Sequence, residues 1–150
     1  MAQLVIKEAQ TKDIDELHKI RTSVLENILP DPAIITGDDY AEFLTSRGKG
    51  WLCEIKNEIA GFAIVDLVKN NVWALFVLPS QERKGVGKKL HDTMLDWYFL
   101  QTTEKIWLGT APATRAEKFY RKAGWEEVGT RPNGEIQFEM TSIRWGTRLL

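Results

Sequence analysis

The chain has 150 residues, 43% hydrophobic and 27% charged, with a net charge of −1. That is ordinary globular composition, read here as a single domain over residues 1–150 with a proper core, and it gives no electrostatic footprint for nucleic acid. No apolar run reaches the ~18–20 residues of a membrane span, Met1 to Glu8 lack the features of a secretory leader, and the lone Cys53 forbids an intrachain disulfide, which fits a cytoplasmic setting.

Residues 3–8 alternate and read as a first strand. Thr11 is placed as an N-cap with Asp13 and Asp15 in the first turn, and Ile14, Leu17, Val24, Leu25 and Ile28 follow helical spacing, predicting a helix over about 11–28. Pro30 and Pro32 end it. A loop follows, then a short helix near 38–46 with Tyr40, Phe43 and Leu44 on one side. Strands are expected at 51–56, 59–68 and 72–78, separated by short turns, so they form an antiparallel meander. A helix opens at Gly85 and runs to about Leu100, with Val86, Leu90, Met94, Trp97 and Tyr98 on one face. Lys105 to Thr110 is a strand. Thr114 and Glu117 make a capping box for the next helix, which ends at Gly124. Trp125 to Gly129 is a strand, Asn133-Gly134 a hairpin turn, and Glu135 to Arg144 the returning strand. The order is β-α-α-β-β-β-α-β-α-β-β, and the unit over 72–110 implies one parallel pair in an otherwise antiparallel sheet.

Between the third meander strand and its helix lies Ser80-Gln81-Glu82-Arg83-Lys84-Gly85-Val86-Gly87-Lys88-Lys89-Leu90. A strand feeding a glycine turn and a helix N-terminus aims backbone N–H groups at one point and binds phosphate. The Walker pattern fails, because Glu82 stands where its first Gly should be and no Ser or Thr follows Lys88. The dinucleotide fingerprint fails at Leu90, where a third Gly belongs. A plain tight turn would use the same two glycines. A second segment, Ala113-Thr114-Arg115-Ala116-Glu117-Lys118-Phe119-Tyr120-Arg121-Lys122-Ala123-Gly124-Trp125, lies on the next helix.

The first segment resembles the pyrophosphate loop, Gln/Arg-x-x-Gly-x-Gly/Ala, of the GNAT superfamily of acetyl-CoA-dependent N-acetyltransferases. The second resembles that family's Ala-x-x-Phe-Tyr-x-x-x-Gly-Phe/Trp helix. Glu82 stands where the loop has Gln or Arg, and Ala113 where the family often has Asn. The resemblance implies an α/β (α+β) GNAT fold whose parallel pair, 72–78 and 105–110, splays toward its C-terminal ends. It implies that acetyl-CoA lies in the gap, its pantetheine arm paired with the backbone of Leu75, Phe76 and Val77. The diphosphate would rest on the main chain of Glu82, Arg83, Lys84, Gly85, Val86, Gly87 and Lys88, with positive charge from Arg83, Lys84 and Lys88. The implied activity is transfer of the acetyl group to a primary amine by direct attack. Val77 N–H would face the oxyanion and Tyr120 would act as general acid toward the leaving thiolate. A non-catalytic acyl-CoA sensor of the same fold is the alternative.

The general base stays unassigned among Glu26, Asp38, Asp39, Glu54, Asp66 and Glu135. The loop acids Asp31, Asp38 and Asp39 suggest a cationic acceptor. His18 and His91 have no metal-ligand spacing, so no metal is expected. Cys53 reads as a core thiol, and Trp51, Trp73 and Trp107 read mostly as core, with one of these tryptophans open to line the acceptor pocket. The partner is a small-molecule or peptide amine, with no nucleic acid and no membrane; a homodimer is left open.

Overall fold

In the computed structural model, which describes residues 3–149, three strands run antiparallel after the first two helices. Strand β1 is Leu4–Glu8, helix α1 Ile14–Ser23, helix α2 Gly37–Thr45, β2 Gly48–Ile55, β3 Glu58–Asp66 and β4 Asn71–Val77. Helix α3 (Val86–Gln101), β5 (Ile106–Thr110), α4 (Arg115–Lys122), β6 (Glu126–Thr130), β7 (Ile136–Met140) and α5 (Ser142–Thr147) complete the chain. The strands form one seven-stranded sheet in the order β1-β2-β3-β4-β5-β7-β6. Every pairing is antiparallel except β4 with β5. The first meander turn falls one residue earlier than the expected Asn57-Glu58: β2 ends at Ile55 and Lys56 and Asn57 both take positive φ (53° and 69°) before β3, which suits the twist of a two-residue hairpin.

Alternation along the central strands loads both faces of the sheet. Trp51, Cys53, Ala63, Val65 and Val72 face α3, where Val86, Leu90, Met94 and Leu95 meet them. Leu52, Phe62, Ile64 and Ala74 face the other way, onto Leu17 and Ile20 of α1 and Tyr40 and Leu44 of α2. Cys53 is a core thiol, fully buried, and burial pushes its pKa up.

Three expectations are corrected. Thr11 does not cap α1: a tight turn over Thr11–Asp13 precedes it, and the Asp13 carboxylate accepts from Gln10 N–H at 2.9 Å. Helix α1 stops at Ser23, because Val24 turns extended (ψ 150°). The Ser23 hydroxyl donates back to the Ile20 carbonyl at 2.7 Å, and Arg21 Nη1 takes the carbonyl of Asn27, itself at φ 55°. Leu25 and Ile28 are therefore 77% and 65% exposed instead of packed on a helix face. At the other end, the last strand ends at Met140, not Arg144. Thr141 accepts from Arg144 N–H at 3.1 Å and starts α5, whose Trp145 is buried, its indole N–H donating to Asp96 at 2.9 Å.

Tyr98 on α3 is buried with its hydroxyl unpartnered among the described residues, and burial raises its pKa to about 12. An orphaned buried hydroxyl opposes folding, so Tyr98→Phe is expected to gain about 1 kcal/mol at pH 7 in a denaturant titration. The folded pKa exceeds the unfolded one, so above pH ~10 only the unfolded chain ionises and stability falls. The variant should lose less stability than the parent across that alkaline window; a loss of stability at pH 7 would mean that the hydroxyl has a partner.

Candidate active site

The site starts with a strand pair that separates. Strands β4 and β5 share a single register pair, Asn71 with Trp107, held by Trp107 N–H on the Asn70 carbonyl at 3.0 Å and by Asn71 Nδ2 on the Trp107 carbonyl at 3.2 Å. Beyond that point β4 continues to Val77 with only β3 beside it. Leu78 N–H reaches the Ala60 carbonyl of β3 at 2.8 Å. Backbone groups alternate sides along a strand, so Phe76 also turns to β3, while Leu75 and Val77 turn their N–H and C=O groups into the gap. Of the three residues expected to offer backbone there, Phe76 instead contributes its ring, which stacks under the Arg21 guanidinium at 4.1 Å.

The turn after β4 supplies the second part. Pro79–Gln81 form one tight turn, then Arg83 (φ 64°) and Gly85 (φ 86°) take the left-handed conformation, which only glycine adopts without strain. The first hydrogen bond of α3 runs from Lys89 N–H to the Gly85 carbonyl at 3.1 Å. The N–H groups of Val86, Gly87 and Lys88 precede it, so they have no intrahelical acceptor and carry the positive end of the helix dipole. A Cβ built at Gly87 would lie 3.7 Å from Val77 and 3.9 Å from Phe119, ordinary contact distances, in the space in front of these amides.

The charged side chains here are arranged differently from the expectation. Lys88 pairs with Asp92 at 2.7 Å, whereas Lys84 donates only to the Gln81 amide at 2.9 Å, so Arg83 and Lys84 both lack a carboxylate partner among the described residues. Glu82 is neutralised by an ion pair with Arg115, the first residue of α4 across the cleft. Arg115 N–H in turn donates to Glu26 at 3.0 Å.

These elements wall a cleft of about 1010 Å³ bounded by Val24–Asn27, the end of β4, the turn and the facing sides of α3 and α4. A second cleft of about 780 Å³ opens on the other side of the splay, lined by Arg21, Tyr40, Trp73, Trp107, Arg131 and Glu135 among others. The two share Asn27, Leu75, Phe76, Ala116 and Tyr120, so they meet where the parallel pair separates. Trp73 and Trp107 therefore line a pocket wall, whereas Trp51 is core.

Tyr120 is buried at this junction. Burial alone drives its pKa well above the ordinary phenol value, so it stays protonated and able to donate. Thr114 caps α4, accepting from Glu117 N–H at 3.2 Å; Glu117 reaches back to Ala113 N–H at 2.7 Å, one residue before the expected partner. Behind Tyr120, the buried His91 accepts the Trp125 indole N–H on Nε2 at 2.9 Å, so its proton sits on Nδ1, against Asp92 at 2.9 Å. Burial opposes ionisation of Asp92, but hydrogen bonds from His91 and Lys88 outweigh it and hold the carboxyl below its ordinary value.

Of the carboxylates considered as bases, only Glu26 and Glu135 line a cleft. Glu54 pairs with Lys7 at 2.9 Å, and Asp66 is buried under Arg47. The loop acids are spent locally: Asp31 on Ala33 N–H and Asp39 on Thr36 N–H, and neither they nor Asp38 line the second cleft. They give no support to a cationic acceptor. Among the described residues no helix is long and apolar enough to cross a membrane.

A cleft that ends on open amides at a helix N-terminus and opens onto a second pocket through a splayed parallel pair has the build of a group-transfer enzyme. The family model described as the acetyltransferase (GNAT) family matches residues 13–125, and the chain belongs to that family. Among solved structures, it is similar to the PaiA N-acetyltransferase of Thermoplasma acidophilum in complex with coenzyme A, at 14% identity and TM-score 0.80 over 93% of this chain and 99% of that one. It is similar to a GNAT-family acetyltransferase of Staphylococcus aureus Mu50, at 22% identity and TM-score 0.80, over 93% and 99% of the two chains. The ribosomal-protein-S18-alanine N-acetyltransferase of Escherichia coli is similar at 19% identity and TM-score 0.72, over 92% of each chain. At these identities the likeness establishes the fold. No curated protein matches by sequence.

Proposed function

We propose that the chain moves the acetyl group of acetyl-CoA to a primary amine that attacks the thioester directly. The observation that carries this reading is the junction of the two clefts at Leu75, Phe76, Asn27, Ala116 and Tyr120. A donor in one cleft and an acceptor in the other would meet there. A sensor of acyl-CoA would need the first cleft only, and the second, of about 780 Å³, has the size of a small-molecule site.

The free amides of Val86, Gly87 and Lys88 suit the diphosphate of acetyl-CoA, with Arg83, which holds no carboxylate among the described residues, as a cation beside them. Leu75 and Val77 suit the amide-bearing arm, which would add to β4 as a strand does. An alkylamine with pKa ~10.4 must first lose a proton; Glu135 is the carboxylate of the acceptor cleft able to take it. The nitrogen lone pair then forms the bond to the carbonyl carbon, whose oxygen is stabilised by Val77 N–H. As the carbon–sulfur bond breaks, its electron pair goes to sulfur and Tyr120 supplies the proton; the nitrogen then gives up its excess proton to the Tyr120 phenolate, which restores the phenol. The products are an N-acetyl amine and the free thiol.

The test is release of free thiol from acetyl-CoA across a panel of amino acids, polyamines, aminoglycosides and peptides. Turnover with at least one class is expected. Tight donor binding with no thiol released by any of them would favour the sensor and overturn the reading.

A further inference from the structure

Of the chain's eight arginines, five hold a carboxylate within the fold. Arg21, Arg83 and Arg131 hold none among the described residues. Arg83 belongs to the phosphate turn, and the other two both line the second cleft. That cleft contains one carboxylate, Glu135, against two guanidinium groups.

Both arginines hold their guanidinium groups over aromatic rings. Arg21 lies 4.1 Å from the centre of Phe76 and Arg131 lies 4.2 Å from the centre of Trp107. Each spends one hydrogen bond inside the chain, Arg21 on the Asn27 carbonyl at 2.9 Å and Arg131 on Gln137 at 3.0 Å. A guanidinium has five N–H donors in a rigid fork, so most of each fork remains available. Stacking restricts the plane and prepares the fork for bidentate recognition of a carboxylate or phosphate.

The strand beneath is shaped for this arrangement. A Cβ at Gly109 of β5 would come within 2.7 Å of Glu135 Oε1 and 2.9 Å of Arg131 Cδ. A larger residue there would displace the Arg131 and Glu135 side chains from their places across β5. Glu135 is further held by Asn133 Nδ2 at 2.9 Å. Separately, Arg21 is half-buried, and desolvation lowers its pKa despite the opposing influence of Tyr40 and Glu135. A bound anion would relieve that penalty.

We propose that the acceptor is an amine that also carries an anionic group, a carboxylate or a phosphate, gripped by Arg21 and Arg131 while Glu135 receives its ammonium. This rests on the acetyltransferase reading for its chemistry and on the arginine pair for its specificity. The anion and the ammonium would be neighbours on one small molecule, as in an α-amino acid or an aminoalkyl phosphate.

The experiment compares molecules that differ only in the charge of one group. The coenzyme A-bound protein is titrated calorimetrically with the common α-amino acids against their amides, and with phosphoethanolamine against ethanolamine. Thiol release from acetyl-CoA is measured on the same pairs. At least one acid of a pair is expected to bind, and to react by kcat/KM, tenfold or more better than its neutral counterpart. The responsive pair identifies carboxylate or phosphate. Arg131→Gln should bring that ratio near one while leaving the KM for acetyl-CoA unchanged, and Arg131→Lys should restore part of it. No preference for any anionic member, or better binding of spermidine than of all of them, would overturn the proposal. Preferential binding of an anionic amine without turnover would support the site and sink the acetyltransferase reading.

Discussion

Replacing Gly87 by glutamate is expected to abolish coenzyme A binding while leaving the protein folded. The two halves of this outcome have separate causes. Gly87 is the second residue of α3, and a Cβ there meets only Val77 and Phe119 at ordinary contact distances. A carboxylate in the first turn of a helix interacts favourably with its dipole, by about 0.3–1 kcal/mol. The folded state therefore has no reason to weaken. The ligand does: the new side chain stands in front of the amides of Val86 to Lys88 and sets a negative charge against a diphosphate. Weakening of at least about 100-fold, ~2.7 kcal/mol, should be read by calorimetry, with a melting temperature no lower than the parent's. Gly87→Ala should lose less, since it blocks without charge. Retained affinity in the glutamate variant would mean that the phosphate lies elsewhere.

The parts of this molecule that periodicity and turn chemistry govern were legible from its sequence. The meander, the crossover helix at Val86 and the Asn133-Gly134 hairpin follow from alternation, glycine and asparagine, and all appear in place. Most of the remaining differences fall around the clefts, and share a reason. Val24, Leu25 and Ile28 continue the helical spacing of α1, yet they leave the helix and line the clefts. An apolar residue that serves a ligand looks, in sequence, like one that serves the core. Likewise Arg115 stands 33 positions beyond Glu82, and nothing local announces their pairing. Arg21 and Arg131 come from distant parts of the chain, and nothing local announces that both line the second cleft. The final helix was missed because Ile136 to Ile143 continue a strand-like alternation, although Thr141 stands at its N-cap. His91 lacked a partner in sequence because Trp125, which donates to it, lies on the far side of α4.

Tyr120→Phe is expected to lower kcat by about 100-fold or more, with little change in affinity for coenzyme A. The argument starts from burial. Tyr120 has no charged or hydrogen-bonding influence on its ionisation, only desolvation, which holds the phenol protonated far above its ordinary range. Removing the hydroxyl orphans no protein group, so stability should hold. On the proposed mechanism, what is lost is the donor at the junction of the two clefts that protonates the departing thiolate. Two further readouts separate a proton donor from a packing residue. First, the parent's kcat should rise with pH as the amine loses its proton and then stay level to at least pH ~10, because the raised phenol does not ionise in that window. An alkaline fall near pH 9 that vanishes in the variant would contradict the raised pKa. Second, an acetyl thioester of a more acidic thiol needs less help to depart. The defect of Tyr120→Phe should shrink with such a donor if the tyrosine acts on the leaving group, and stay constant if it only shapes the pocket. Unchanged kcat with acetyl-CoA would remove Tyr120 from the chemistry and leave it as the hydrophobic contact between α4 and the sheet.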